Sequence, residues 1–162
     1  MDIFIEQLYQ QRSTIGTNLK KTAIIVLGSL IALVLLFVAV FIMPSLATIF
    51  LLLASGSAYL TYHLCGMYNV EYEYILTEGI IDIDRITNQK KRKRMITFKA
   101  ADINGLGSVD RMPCGRDVKW FCNKGEGLYF SVGDNLIAFC PNEKFRNEMS
   151  KFLPRHLKKE LK

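Results

Sequence analysis

With 162 residues, half of them hydrophobic, and a net charge of +6, the chain has room for one soluble domain at most, because a long apolar block takes up part of its length. No charged residue lies between Thr22 and Val70; from Gly66 onward eighteen Lys and Arg stand against thirteen Asp and Glu, and five of those cations form the single run Lys90 to Arg94. Outside that run the soluble part is neutral, which argues against a nucleic-acid binder, whose basic residues spread along a face with aromatics among them.

Residues 1–21, MDIFIEQLYQQRSTIGTNLKK, place Phe4, Leu8, Ile15 and Leu19 near one side of a helix of period 3.6. This N-terminal amphipathic segment suits either the membrane surface or packing on the soluble domain. Next, Thr22 to Met43 is apolar throughout and long enough to cross a hydrocarbon core. Pro44 and Ser45 interrupt it, and Leu46 to Cys65 is a second stretch of crossing length. As one helix the block would run about 65 Å, roughly twice what a bilayer covers, so two transmembrane helices, 22–43 and 46–65, joined by a turn at Pro44 are expected. A secretory signal is excluded, since the block starts too late, is too long and ends without a small-residue cleavage pattern.

Gly28 with Ala32, and Ala54 with Ala58, put small residues four apart, a spacing that lets helix backbones approach in lipid. They are the expected helix-packing residues, either between the two helices or across a homodimer. Lys20 and Lys21 flank the start of the block while its turn carries no charge. The positive-inside bias then puts both termini in the cytoplasm of a multi-pass membrane protein. Tyr59, Tyr62 and Tyr68 suit an interfacial aromatic belt.

After Asn69 the period changes to two. Val70, Tyr72, Tyr74 and Leu76 alternate with Glu71, Glu73 and Ile75; Glu78-Gly79 makes a tight turn; Ile81 and Ile83 then alternate with Asp82 and Asp84. Further strands are expected at 94–99, 103–109, 118–123, 127–132 and 135–140, with a turn at Gly133-Asp134. Asn142 is placed to cap a helix that carries Phe145, Met149 and Phe152 on one face, and Pro154 ends it, leaving a basic tail, 154–162. About seven strands and one closing helix describe a mainly antiparallel β domain over 70–153.

The segment EYEYILTEGIIDIDRI resembles the opening hairpin of bacterial pleckstrin-homology-like domains. The whole layout, a basic start, a two-helix hairpin and then such a domain, is similar to a family of small Gram-positive bacterial membrane proteins. The resemblance covers Val70 to Val109 most clearly, and the stretch from Asp110 to Val118 departs from it. It implies a pleckstrin-like scaffold that binds lipids, peptides or proteins, and fold alone does not choose among these.

Lys90, Lys91, Arg92, Lys93 and Arg94 are the candidate lipid-binding residues. A strand from Val70 rises about 26 Å before its turn, so the returning strand brings the basic run back toward the bilayer, where each cation gains about 1 kcal/mol beside anionic lipid. The alternative is internal. Pairing Thr77 with Ile80 sets Glu73 opposite Asp84, so Glu71, Glu73, Asp82 and Asp84 share one face that Lys91 and Lys93 would neutralise.

Chemistry is sparse. Cys65, Cys114, Cys122 and Cys140 form no CxxC pair and read as core thiols; a metal reading would combine Cys114, Cys122 and Cys140 with His63 or His156, without the close ligand spacing that zinc sites usually start from. The motifs GxxxxGK[ST], HExxH and GxSxG are absent, Gly105-Leu106-Gly107 lacks a third glycine, and His63 and His156 suggest no acid-base pair. Asp82 and Asp84 on one face could bind a cation but read as solvated strand carboxylates, and Trp120 and Phe121 read as core residues. No enzyme activity, cofactor or metal is expected. The sequence points to a membrane-anchored binding or scaffold domain. Two other functions stay open: a protein-interaction module, and a small accessory subunit of a transporter or envelope complex acting through its helices.

Overall fold

The computed structural model describes residues 3–113 and 117–158. They form two units: residues 13–69 make a helical unit, and residues 1–12 together with 70–162 make a β unit.

In the helical unit, α1 spans Ile15–Phe37 and continues as a π-helical turn, Val38–Ile42. Met43 leaves helical geometry (φ −133°, ψ 68°), Pro44 opens a short 3₁₀ turn, and α2 runs Ala47–Gly66. Proline ends the first helix where the sequence suggested, because its ring and missing N–H cannot continue the hydrogen-bond ladder. α1 begins seven residues earlier than its hydropathy implied, so Lys20 and Lys21 lie inside it, with Lys21 Nζ donating to Asn69 Oδ1 at 2.7 Å. A helix follows backbone propensity, and nothing in its first turn requires an apolar environment. Both helices are long and apolar enough to cross a membrane, and their large side chains, among them Leu27, Leu33, Phe41 and Leu52, stand exposed. Their hydroxyls turn inward: Ser29, Ser55, Ser57 and Thr61 each donate to a carbonyl three or four residues back on their own helix. This satisfies them without water.

The β unit begins with a correction. Residues 4–10 are not helical but form strand β1, Phe4–Gln10, paired antiparallel with β2, Val70–Thr77. The period-two reading of the same residues, with Ile5, Gln7 and Tyr9 facing in and Phe4, Glu6 and Leu8 facing out, wins because β2 offers a ready edge and a core for Ile5. The first sheet is β1-β2-β3-β4, with β3 Ile80–Thr87 and β4 Lys91–Lys99. A second sheet has the order β5-β7-β8-β6, built from β5 Ile103–Ser108, β6 Val118–Trp120, β7 Leu128–Val132 and β8 Asn135–Phe139, and only β6 runs parallel to its neighbour. The described residues thus hold eight strands, the expected seven plus β1.

The β2–β3 turn needs a left-handed backbone at both Glu78 (φ 48°) and Gly79 (φ 84°), and a side chain at Gly79 would strike the Phe152 ring. Helix α3, Glu143–Phe152, is capped as expected: Phe145 N donates to Asn142 Oδ1 at 2.7 Å. Its Phe145 and Met149 enter the core between the sheets with Tyr74, Leu76, Ile83, Phe130 and Phe139, all fully buried. Phe121 is buried there too, while Trp120 stays half-exposed. Tyr74 satisfies its buried hydroxyl by donating to Phe121 O at 2.7 Å.

Two side chains of β1 fasten it to the far side of the unit. Gln7 donates through Nε2 to Cys140 O at 2.9 Å and accepts from Asn142 N at 2.8 Å, while Tyr9 donates to Glu126 Oε2 at 3.1 Å. A fragment that starts at Val70 therefore lacks one edge strand and both clamps. Replacing Gln7 by Ala should cost about 1–3 kcal/mol, since it strands the Asn142 N–H and the Cys140 carbonyl. The exposed Glu6→Ala should stay within about 0.5 kcal/mol, and unfolding of the full chain in detergent measures both.

Candidate functional site

Along β2 and β3 the register is Glu73 with Asp84, Ile75 with Asp82 and Thr77 with Ile80, as the sequence implied. The outward face of this sheet therefore gathers Glu71, Glu73, Asp82 and Asp84. Three of these carboxylates are nearly inaccessible, with Glu71, Glu73 and Asp84 exposed by only 8%, 5% and 3%. Closely spaced, desolvated acids need cations.

The arginines of the basic run supply them to Glu73, Asp82 and Asp84, while Glu71 has no cation within 4.0 Å among the described residues. Arg92 donates through Nε to Asp84 Oδ2 at 2.7 Å and through Nη2 to Glu73 Oε2; Arg94 Nε reaches Asp84 Oδ1 at 3.2 Å, and its Nη2 lies 3.5 Å from Asp82 Oδ2. Arg92 thus bridges two strands with the planar fork that makes arginine suited to paired carboxylates. Lys91 and Lys93, expected to neutralise the strip, do not, and the reason is a β-bulge. The pairing shifts from Ile83 with Ile96 to Asp84 with Arg94, so Met95 is the extra residue. Without it Lys93 and Lys91 would project onto the acidic face; with it they turn to the other side and Arg92 and Arg94 take their place.

The five-residue run is thereby divided. Among the described residues, Lys90, Lys91 and Lys93 have no carboxylate within 4.0 Å. They follow the turn at Asn88 and Gln89, which are both left-handed (φ 53° and 54°), and Lys90 N donates to Thr87 O at 3.2 Å. The turn lies at one particular end of the sheet. Val70 pairs with Thr87, which pairs with Lys91, and Gln11 N donates to Val70 O at 3.3 Å. Residues 12 and 70, where the chain leaves for the helices and returns, share this end.

The helix-packing residues divide as well. A Cβ at Gly28 would overlap Thr61 Oγ1, Ala54 is buried and Ala32 is half-buried, whereas Ala58 is exposed. Ala39 is also buried, a position the four-residue spacing missed. Cys122 is buried, which pushes its thiol up to about 12, and Cys140 is shifted upward for the same reason. Both stay protonated at neutral pH and are poor nucleophiles or ligands. Cys114 lies outside the described residues, and no group of three His, Cys, Asp or Glu able to hold a metal ion occurs among those described.

The division of the run has a direct consequence for stability. Arg92→Gln leaves Glu73 without its cation, and unfolding of the full chain in detergent should show a loss of about 1–3 kcal/mol. Lys91→Gln and Lys93→Gln should not reduce stability by more than about 0.5 kcal/mol.

A family model described as a bacterial PH-like domain (DUF6106) matches residues 1–119. The match begins ahead of β1 and includes both apolar helices as well as β2 to β5. No curated protein and no solved structure matches the chain. Because the family model spans most of the sequence, the chain belongs to the bacterial PH-like domain (DUF6106) family.

Proposed function

We propose that this chain is a two-pass protein of the bacterial cell membrane that presents its PH-like domain as a non-enzymatic binding or scaffold module on the cytoplasmic side. In this reading the domain is oriented on anionic lipid by its β3–β4 turn. PH-like domains are typically binding rather than catalytic modules, which supports the general class. The observation that carries the lipid contact is the set of unpaired lysines, Lys90, Lys91 and Lys93, at the end of the sheet where the chain departs for its apolar helices. Arg92 and Arg94 are engaged with carboxylates and stand outside the contact.

Connectivity supports the topology. Gln11 and Val70 are hydrogen-bonded neighbours, so residues 13–69 must return to the side they leave, and a segment that crosses a bilayer does so an even number of times. Two helices of spanning length satisfy this. Lys20 and Lys21 near the base of α1, against an uncharged connection at Met43 to Leu46, favour a cytoplasmic base. The extensive apolar surface of both helices needs a cover, and lipid provides one. Ala58, exposed on α2, is left for a neighbour in the membrane, a second copy or another protein.

Each unpaired lysine near an anionic leaflet gains about 1 kcal/mol, an interaction that fades within a Debye length. Amide hydrogen exchange on the full chain in lipid nanodiscs reads this directly. Exchange at Thr87 to Lys93 should slow several-fold when phosphatidylglycerol replaces part of the phosphatidylcholine. The slowing should vanish at high salt and in Lys90→Gln/Lys91→Gln/Lys93→Gln. Equal exchange in neutral and anionic discs would refute the lipid contact.

A further inference from the structure

The bulge that turns Arg92 and Arg94 outward puts Lys91 and Lys93 on the inner side of the sheet, the side of Arg85. Arg85 pairs directly with Lys93, and the next inward position pairs Thr87 with Lys91. Opposed residues on an antiparallel pair hold their Cβ atoms about 5 Å apart on the same face, and like charges there repel. No carboxylate lies within 4.0 Å of Arg85, Lys91 or Lys93 among the described residues. Arg85 is half-buried, and its Nε is buried with no hydrogen-bond partner. Across the strand from it stands the buried Tyr72, whose hydroxyl is shifted upward by burial and drawn partly back by the Arg85 charge.

With Arg92 and Arg94 neutralising the outer face, a guanidinium and two ammonium groups share the inner one with no carboxylate within 4.0 Å among the described residues. An uncompensated like-charge pair costs stability, and one multiply charged anion held against both groups offsets it. A guanidinium fork flanked by ammonium groups matches a phosphate dianion better than a single carboxylate, because several oxygens can accept at once. We propose that Arg85, Lys93 and Lys91 form a binding site for a phosphate-class anion on the inner side of the β3–β4 hairpin. The phosphate is either free or the exposed headgroup of a lipid. The proposal deepens the membrane-contact reading, since the same turn carries both, but it requires coordination of a phosphate group where the lipid contact requires only negative surface charge.

The test is the thermal unfolding of the full chain in phosphatidylcholine nanodiscs, with inorganic phosphate compared against chloride at equal ionic strength. Phosphate should raise the midpoint by several degrees and chloride should not, because a ligand bound only by the folded state stabilises it. Arg85→Met should abolish the phosphate effect and, by removing the repulsion, unfold no earlier than the parent chain in chloride. Lys93→Met, at an exposed position, serves as the second variant with the same loss. A midpoint raised in phosphatidic acid discs without added phosphate, beyond any rise in phosphatidylglycerol discs, assigns the anion to a lipid headgroup; a rise with free phosphate alone assigns it to a soluble one. No response to either source, or an undiminished response in both variants, would overturn the site. Because slowed exchange in phosphatidylglycerol discs needs no phosphate coordination, the lipid contact can survive that failure.

Discussion

Strand β1 comes before the two apolar helices in sequence, yet it lies hydrogen-bonded along β2, which follows them. This pairing turns residues 13–69 into an insertion between adjacent strands of one sheet. Its energetic basis is ordinary: a ladder of seven residue pairs, Ile5 buried in the core, and the Gln7 and Tyr9 hydrogen bonds to the opposite side of the unit. Its topological effect is larger than its energy. A helical segment whose two ends are tied to neighbouring strand positions must double back, and the Met43-Pro44 break between α1 and α2 is where it does so.

The same sheet explains how one short basic run is divided between its two faces. Two carboxylates facing each other across β2 and β3 would weaken the pairing unless cations were held against them. Arginine at 92 and 94 performs that task through bidentate geometry. The bulge at Met95 decides which side chains are available for it and, by the same step of one residue, which are left over. The outward network is thus a structural device, and among the described residues Lys90, Lys91 and Lys93 are left without a carboxylate partner.

Much of this was legible in the sequence. The β2–β3 register followed from Glu78-Gly79 and strict alternation, and α3 from Asn142 and the spacing of Phe145 and Met149, because local turn and cap chemistry fixes such features. The apolar helices followed from length and hydropathy. The rest depended on distant partners. The segment FIEQLYQ suits helix and strand patterns comparably well, and only the free edge of β2, sixty residues away, selects the strand. The bulge leaves no mark on the sequence of β4 itself, so a parity count put Lys91 and Lys93 on the wrong side. Arg85 escaped notice because an arginine between Asp84 and Ile86 reads as an ordinary strand residue until its neighbours across the sheet are known. The parallel pairing of β6 with β8 likewise joins segments that no local signal connects.

The neighbour relation between β1 and β2 can be probed in cells with single cysteines in a chain whose four native cysteines have been replaced. Gln10→Cys, Ser45→Cys and Gln89→Cys, all at exposed positions, would be labelled with a membrane-impermeant maleimide on intact and on permeabilised cells. Label at 45 alone on intact cells, with 10 and 89 becoming reactive together after permeabilisation, is the expected pattern. Reaction of 10 and 89 from opposite sides of the membrane would mean that the two strands cannot pair, and the fold, the helical hairpin and the placement of the basic turn would all have to be abandoned.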